Sequence, residues 1–219
     1  MALAGQNAAG GVLSLLDLTT GKILERLHSP TPPTSRPRFH PDGVLLCVGC
    51  EKGILRLFDL RSASEAATFA TASPAPVSAL AASENGFTLA SAAGGGGGEA
   101  AHLSLWDLRK TGDGGQLVAS AAAAGNPAAP INALAFDASG GFLGAGHGDG
   151  IVSVWDSATG GGGSISNLLT LPQHHTGGVI GLAWGPDAGS LFSLGATDRL
   201  LHGFTSTSLK TYTLPRGTK

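Results

Sequence analysis

Charge is scarce in this chain of 219 residues. Lys, Arg, Asp and Glu together make up 13% of it, about half the ~25% usual in soluble domains. The two signs nearly cancel, leaving a formal net charge of −2. A general electrostatic grip on nucleic acid needs a basic patch or stripe, so no direct nucleic-acid binding is expected. Cysteine is nearly absent too. Cys47 and Cys50 are the only two, too few for a disulfide framework, and Met1 to Gly11 has neither the positive start nor the apolar run of a secretory signal. Both features point to a reducing compartment. No segment approaches the ~18 consecutive apolar residues of a membrane span, so no membrane association is expected. Nor does any Lys/Arg run mark a nuclear import signal. What the chain has instead is small residues. Its 35 glycines and 12 prolines fall just short of the ~25–30% combined share typical of low-complexity sequence, which describes a globular chain with irregular inserts.

Against that background one pattern recurs. A hydrophobic–polar–hydrophobic–aromatic quartet, usually closed by aspartate, appears as Leu13-Ser14-Leu15-Leu16-Asp17, Leu55-Arg56-Leu57-Phe58-Asp59, Leu103-Ser104-Leu105-Trp106-Asp107, Val152-Ser153-Val154-Trp155-Asp156 and Leu201-His202-Gly203-Phe204. The fourth positions are separated by 42, 48, 49 and 49 residues. A period of about 40–45 residues with a Trp-Asp signature indicates a β-propeller of four-stranded blades, and the polyglycine runs account for the longer steps. Each quartet after the first follows a tight turn, as in Phe39-His40-Pro41-Asp42-Gly43 or Ser83-Glu84-Asn85-Gly86, where glycine and asparagine accept positive φ. Alternating strands such as Ile131-Asn132-Ala133-Leu134-Ala135-Phe136 precede the turns.

The predicted fold is therefore all-β: a partial WD-repeat β-propeller over 12–214, with about four complete four-stranded blades plus half a blade. The half blade, 12–27, holds the third and fourth strands only. The complete blades cover 36–72, 77–120, 131–172 and 179–214. Residues 1–11 read as a disordered N-terminus and 215–219 as a tail. An incomplete ring leaves raw sheet edges, which invite association. Two expectations follow from that: a C-terminal piece of something longer, or a short open array that closes by pairing with another copy.

No catalytic, cofactor or metal site emerges. Gly94 to Gly98 lacks the Lys-Ser/Thr of a phosphate loop and opens no helix, so it reads as a flexible insert. Cys47 and Cys50 lie three apart on a strand, hence on opposite faces, and read as core rather than as a redox or zinc pair. WD repeats contain a hydrogen-bonded series of turn Asp, His, Ser/Thr and Trp. His175, Ser193 and Asp198 fit three of its places, but Phe204 replaces the tryptophan. In the preceding blade Asp149 and Trp155 fit, with no histidine before Ile131. Trp106-Asp107 and the Asp156 after Trp155 complete the structural set. Leu60-Arg61 and Leu108-Arg109-Lys110 read as solvated turn charge. The turns between second and third strands should share one face with the links between blades. On that face Glu51, Lys52, His102, His147, Asp149, His174, Asp198 and Arg199 are the candidate protein contacts.

The ordered series Phe39-His40-Pro41-Asp42-Gly43, Ser83 to Ala90, Leu105 to Lys110, Phe136 to Gly140, His175-Thr176-Gly177 and Ala196 to Leu200 resembles the pre-mRNA-processing factor 19 family, spliceosome-associated U-box ubiquitin ligases, over about 12–206. The resemblance implies a propeller that binds splicing-complex subunits and ubiquitination substrates. It also implies a nuclear location, roles in spliceosome activation and DNA repair, and a homo-tetramer formed by a coiled coil. Neither U-box nor coiled coil lies in this sequence, and Gly94 to Gly98 stands where that family has a short acidic turn. The ligase activity implied for the full-length family member therefore cannot be placed on residues of this chain; partner recruitment can. The alternative is a generic WD-repeat scaffold unrelated to ubiquitin. A third reading, an enzyme acting in the central channel, requires polar residues that converge there.

Overall fold

The computed structural model describes residues 2–7, 10–96, 99–109, 116–157, 165–198, 200–205 and 209–213. Nineteen strands form five antiparallel sheets. The first is three-stranded: β1 (Ala2–Asn7), β2 (Gly10–Leu16) and β3 (Ile23–Ser29). The second comprises β4 (Arg38–Phe39), β5 (Leu45–Gly49), β6 (Ile54–Asp59) and β7 (Ser64–Ala70). The third has β8 (Val77–Ala82), β9 (Thr88–Ala93), β10 (His102–Asp107) and β11 (Gln116–Ala122). In the fourth are β12 (Ile131–Phe136), β13 (Phe142–His147), β14 (Val152–Asp156) and β15 (Ser166–Leu171). The fifth has β16 (Val179–Trp184), β17 (Ser190–Gly195), β18 (Leu200–Thr205) and β19 (Leu209–Thr213). Every sheet runs in sequence order, a meander of neighbouring hairpins.

The N-terminus departs from expectation. Residues 1–11 read as irregular and 12–27 as two strands, yet Ala2–Asn7 pairs along β2 from Ala2↔Leu15 to Asn7↔Gly10. This Ala/Gly-rich segment has no alternation to announce it. It pairs because the β2 edge otherwise carries unsatisfied backbone groups. Among the described residues this blade thus has three strands.

Turn chemistry sets the registers. Asp42 Oδ1 accepts the Val44 and Leu45 N–H groups at 2.7 and 3.1 Å. Asn85 Oδ1 does the same for Phe87 and Thr88, and Asp137 Oδ1 for Phe142. Gly43, Gly86 and Gly140 supply φ values of 70°, 74° and 71°, the left-handed region glycine enters freely. In the fifth blade Ala188 takes that position, with φ 55°. Pairing of the third and fourth strands slips by one residue just before the fourth quartet residue, at Leu15/Leu16, Leu57/Phe58, Leu105/Trp106 and Val154/Trp155. Such bulges sharpen the local twist. The β18–β19 pair, where Phe204 stands, has no slip.

The sheets stack face to face in series. Inner strands β4, β8, β12 and β16 neighbour one another in that order. The core lies between blades. Leu13, Leu27, Leu46, Val48 and Phe58 join the first two blades; Leu55, Leu57, Val77, Leu80 and Trp106 join the second and third. Ala90, Leu103, Ile131, Leu134 and Trp155 belong to the next cluster, and Val152, Val179, Leu191 and Phe204 to the last. Burying one such Leu or Phe contributes about 1.5–3 kcal/mol. No strand pairing closes the series into a ring among the described residues. Nor, among those residues, is any helix long and apolar enough to cross a membrane.

Candidate functional site

The turns between second and third strands lean on the links between blades and form one rim. Glu51 N–H donates to Pro32 O at 3.0 Å, Gly148 N–H to Pro130 O at 2.7 Å and Ala196 N–H to Gly178 O at 2.8 Å. Each turn also reaches the following link. The Thr71 N–H donates to Gly53 O at 2.8 Å, and a Cβ on Gly53 or Gly150 would overlap the carbonyl of Ser73 or His175. Lys52 stands exposed on this rim in the short 3₁₀ turn Glu51–Gly53, with φ 59° and ψ 26°. Glu51, His102, Asp149, His174 and Asp198 are half-buried. His147, expected as a contact residue, is fully buried and cannot meet a partner there. Arg199 lies outside the described residues.

Beneath the rim sit the hydrogen-bonded series. In the fifth blade His175 Nδ1 and Asp198 Oδ2 are 2.8 Å apart, and His175 Nε2 lies 2.8 Å from Ser193 Oγ. Burial pushes the Asp198 carboxyl up, but the Leu200 N–H, His175 and the Thr176 N–H outweigh it and hold it below the usual carboxylate value. In the fourth blade the series takes another route. Trp155 Nε1 donates to Ser153 Oγ at 2.9 Å, and that hydroxyl is 2.8 Å from His147 Nε2. Asp149 caps its own turn instead, accepting the Ile151 N–H. In the third blade Trp106 Nε1 donates to Ser91 Oγ at 2.9 Å. Asp107 holds Arg109, whose guanidinium lies 4.0 Å above the Phe87 ring. Asp156 is half-buried at the end of β14.

The sequence placed neither Ser91 nor Ser153 in the series, named His147 only as a contact residue, and did not single out His202. Ser153 was within reach, since residues two apart on a strand share a face and it stands two before Trp155. The role of His147 was hidden because the histidine of the series is expected before the blade's first strand, whereas this ring comes from the end of β13. His202 is buried, its Nδ1 2.9 Å from Thr211 Oγ1 and its Nε2 without a hydrogen-bond partner. One nitrogen or oxygen each of His175, Asp198 and His202 lies within 4.8 Å of the others.

The other concavities carry less chemistry. A cavity of about 300 Å³ along the inner strands is lined by Thr34, Arg36, Arg38, Ser78 and Asn132 among apolar residues. Polar groups do converge there, but among the described lining residues there is no carboxylate, histidine or cysteine to act as a base or nucleophile. A wider cleft of about 600 Å³ between the last two blades is apolar, with Phe142, Leu168, Leu169, Trp184 and Phe204 in its wall and His174 at its margin. Cys47 faces the second–third blade cluster and Cys50 the first–second. Burial, reinforced by the Asp42 charge, pushes the Cys47 thiol up to about 12, so it holds no thiolate near neutrality.

Serially stacked four-stranded meanders with buried Trp–Ser–His contacts define a WD-repeat β-propeller segment. The family described as WD domain, G-beta repeat matches residues 122–156. Over 201 residues the chain is 30% identical to pre-mRNA-processing factor 19 homolog 2 of Arabidopsis thaliana, a match covering 89% of this chain and 34% of the relative. It is 33% identical over 171 residues to pre-mRNA-processing factor 19 of Oryza sativa subsp. japonica, covering 76% of this chain and 29% of that protein. The resemblance carried by the turn and Trp-Asp motifs therefore extends over most of the chain, and the chain spans about a third of the length of these relatives. Among solved structures, a chain of the mitotic checkpoint complex crystal structure superposes with a TM-score of 0.72 at 22% identity, covering 94% of this chain and 57% of that one. That likeness concerns the fold alone.

Proposed function

We propose that this chain is a protein-recruiting WD-repeat segment that works in pre-mRNA splicing. Its mechanism is display: rigid blades hold the rim, and the rim binds protein. The observation that carries this reading is Lys52, an exposed cation held at positive φ in a turn that is hydrogen-bonded to two successive links. The backbone of this turn is already ordered, so presenting the lysine costs little further backbone freedom on binding. The similarity to pre-mRNA-processing factor 19 supports splicing-complex subunits as the partners and the nucleus as the location. We extend this to the full-length form. There the segment presents substrates to a U-box ubiquitin ligase that assembles as a tetramer, with roles in spliceosome activation and DNA repair. Ubiquitin transfer lies outside this segment.

Lys52→Glu tests the recruiting surface. Affinity capture from nuclear extract should recover splicing-complex subunits with the original chain and lose them, at least tenfold, with the variant, while urea unfolding midpoints stay the same. Equal recovery with both would remove Lys52 from the contact surface. Recovery of no splicing protein by the original chain would overturn the splicing assignment and leave a generic scaffold.

A further inference from the structure

The fifth blade contains a cluster that its role in holding strands together does not use up. His202 lies on β18, 4% exposed. Its Nδ1 meets the cross-strand hydroxyl of Thr211 at 2.9 Å. Its Nε2 is buried with no hydrogen-bond partner of good geometry, and the His174 backbone lies close to the ring. An unpaired buried nitrogen is costly, and this ring stands edge-on to His175, with centroids 4.4 Å apart. The Asp198 side chain is 5% exposed and its salt-bridging partner is His175. Gly195 leaves the room these groups occupy, since a Cβ there would overlap both Asp198 and His175 Nδ1. A carboxylate and two imidazoles within 4.8 Å, one of them with a free lone pair, form a ligand set rather than a hydrogen-bond set alone.

We infer that His175 Nδ1, Asp198 Oδ2 and His202 Nε2 form a binding site for a divalent transition metal of the zinc class. Imidazole and carboxylate donors suit zinc, which accepts three protein ligands with a fourth position left for water. Thr211 supplies the outer contact that fixes the tautomer. Its Oγ1 accepts the His202 Nδ1–H, which leaves Nε2 as the lone-pair donor, an arrangement typical of metal-bound histidine. His175 carries its proton on Nε2 when metal is bound and donates it to Ser193 Oγ, 2.8 Å away. The metal replaces the His175–Asp198 hydrogen bond and offsets the buried negative charge.

The test uses the whole chain stripped with chelator, then titrated with Zn²⁺ or with Co²⁺ as the visible probe. One equivalent of Co²⁺ should bind and give the intense d–d bands of a low-coordinate site, displaced by Zn²⁺. Zn²⁺ at a hundredfold excess over its Kd should shift the folding equilibrium about a hundredfold toward the folded state. His202→Asn should abolish both effects. Should that variant fail to fold, Thr211→Val, at an exposed position, keeps the blade and should weaken Co²⁺ binding about 10–100-fold. Absence of a low-coordinate spectrum in the folded original chain overturns the site. So does an unchanged affinity in Thr211→Val, or retained stoichiometry in His202→Asn.

Discussion

A single ring decides how the fourth blade responds to acid. His147 is fully buried, with Nε2 2.8 Å from the Ser153 hydroxyl and Nδ1 unpartnered. Burial drives its pKa below the ordinary 6.5, and the charge of Asp149 only partly opposes this. The folded state therefore holds His147 neutral where an unfolded chain would already be protonated. Stability from this group is complete above about pH 6.5 and is lost as pH falls through that value toward the lower folded pKa, because the unfolded chain binds more protons there. His202, also shifted down mainly by burial, adds in the same direction. Urea midpoints should consequently drop between about pH 7 and pH 5. In His147→Leu the drop should shrink, whatever that variant's stability at neutral pH. A midpoint that falls just as steeply in the variant would show that His147 does not titrate with unfolding.

Between elements, one small residue governs how close successive blades come. Gly49 on β5 and Gly146 on β13 occupy the same register, opposite Leu55 and Val152 at the start of the third strands. A Cβ at either would overlap the first valine of the next blade's inner strand, Val77 or Val179. Ala92 fills this register in the third blade and Leu194 in the fifth. Thus a small residue stands where a described blade follows, and a large, half-exposed one where none does. Gly146→Val forces Val179 away and should cost about 1–3 kcal/mol or more by overpacking, read as a lower urea midpoint. The sequence made the elements legible because turn residues and quartets repeat at fixed offsets, and each offset has a local cause in Asp42, Asn85 or Asp137. It concealed whatever depends on contact between blades. The glycine register looks like ordinary strand flexibility until Val77 and Val179 are placed beside it. His147 and Lys52 carry equal weight as rim candidates in the sequence, yet one strand end turns inward and one turn outward. β1 was illegible for a related reason, since its partner strand rather than its own composition makes it a strand.

For the molecule as a whole, the larger contacts between sheets among the described residues run from each blade to the next. Inner strand β8 meets β4 and β5 on one side and β12 on the other, and β12 in turn meets β16. Aromatic and polar links follow the same series: Phe69 stacks on Trp106 at 5.6 Å, Phe142 on Trp184 at 6.3 Å, and Trp184 Nε1 donates to Ala135 O at 2.9 Å. Stability in such an array is a sum of blade terms and nearest-neighbour interfaces, so damage at one interface should stay local. Gly146→Val strikes between the fourth and fifth blades. The fifth blade, which has a described neighbour on that side only, depends on this interface most. Hydrogen exchange should accelerate across β16–β19 and change little across β4–β7, which lies three blades away and is linked to the fifth blade only through the third and fourth. Uniform loss of protection over all five sheets would mean that the segment folds as one cooperative unit. The rim would then be a single rigid platform rather than a chain of separately stabilised turns, and a substitution near Val179 would disturb partner binding at Lys52.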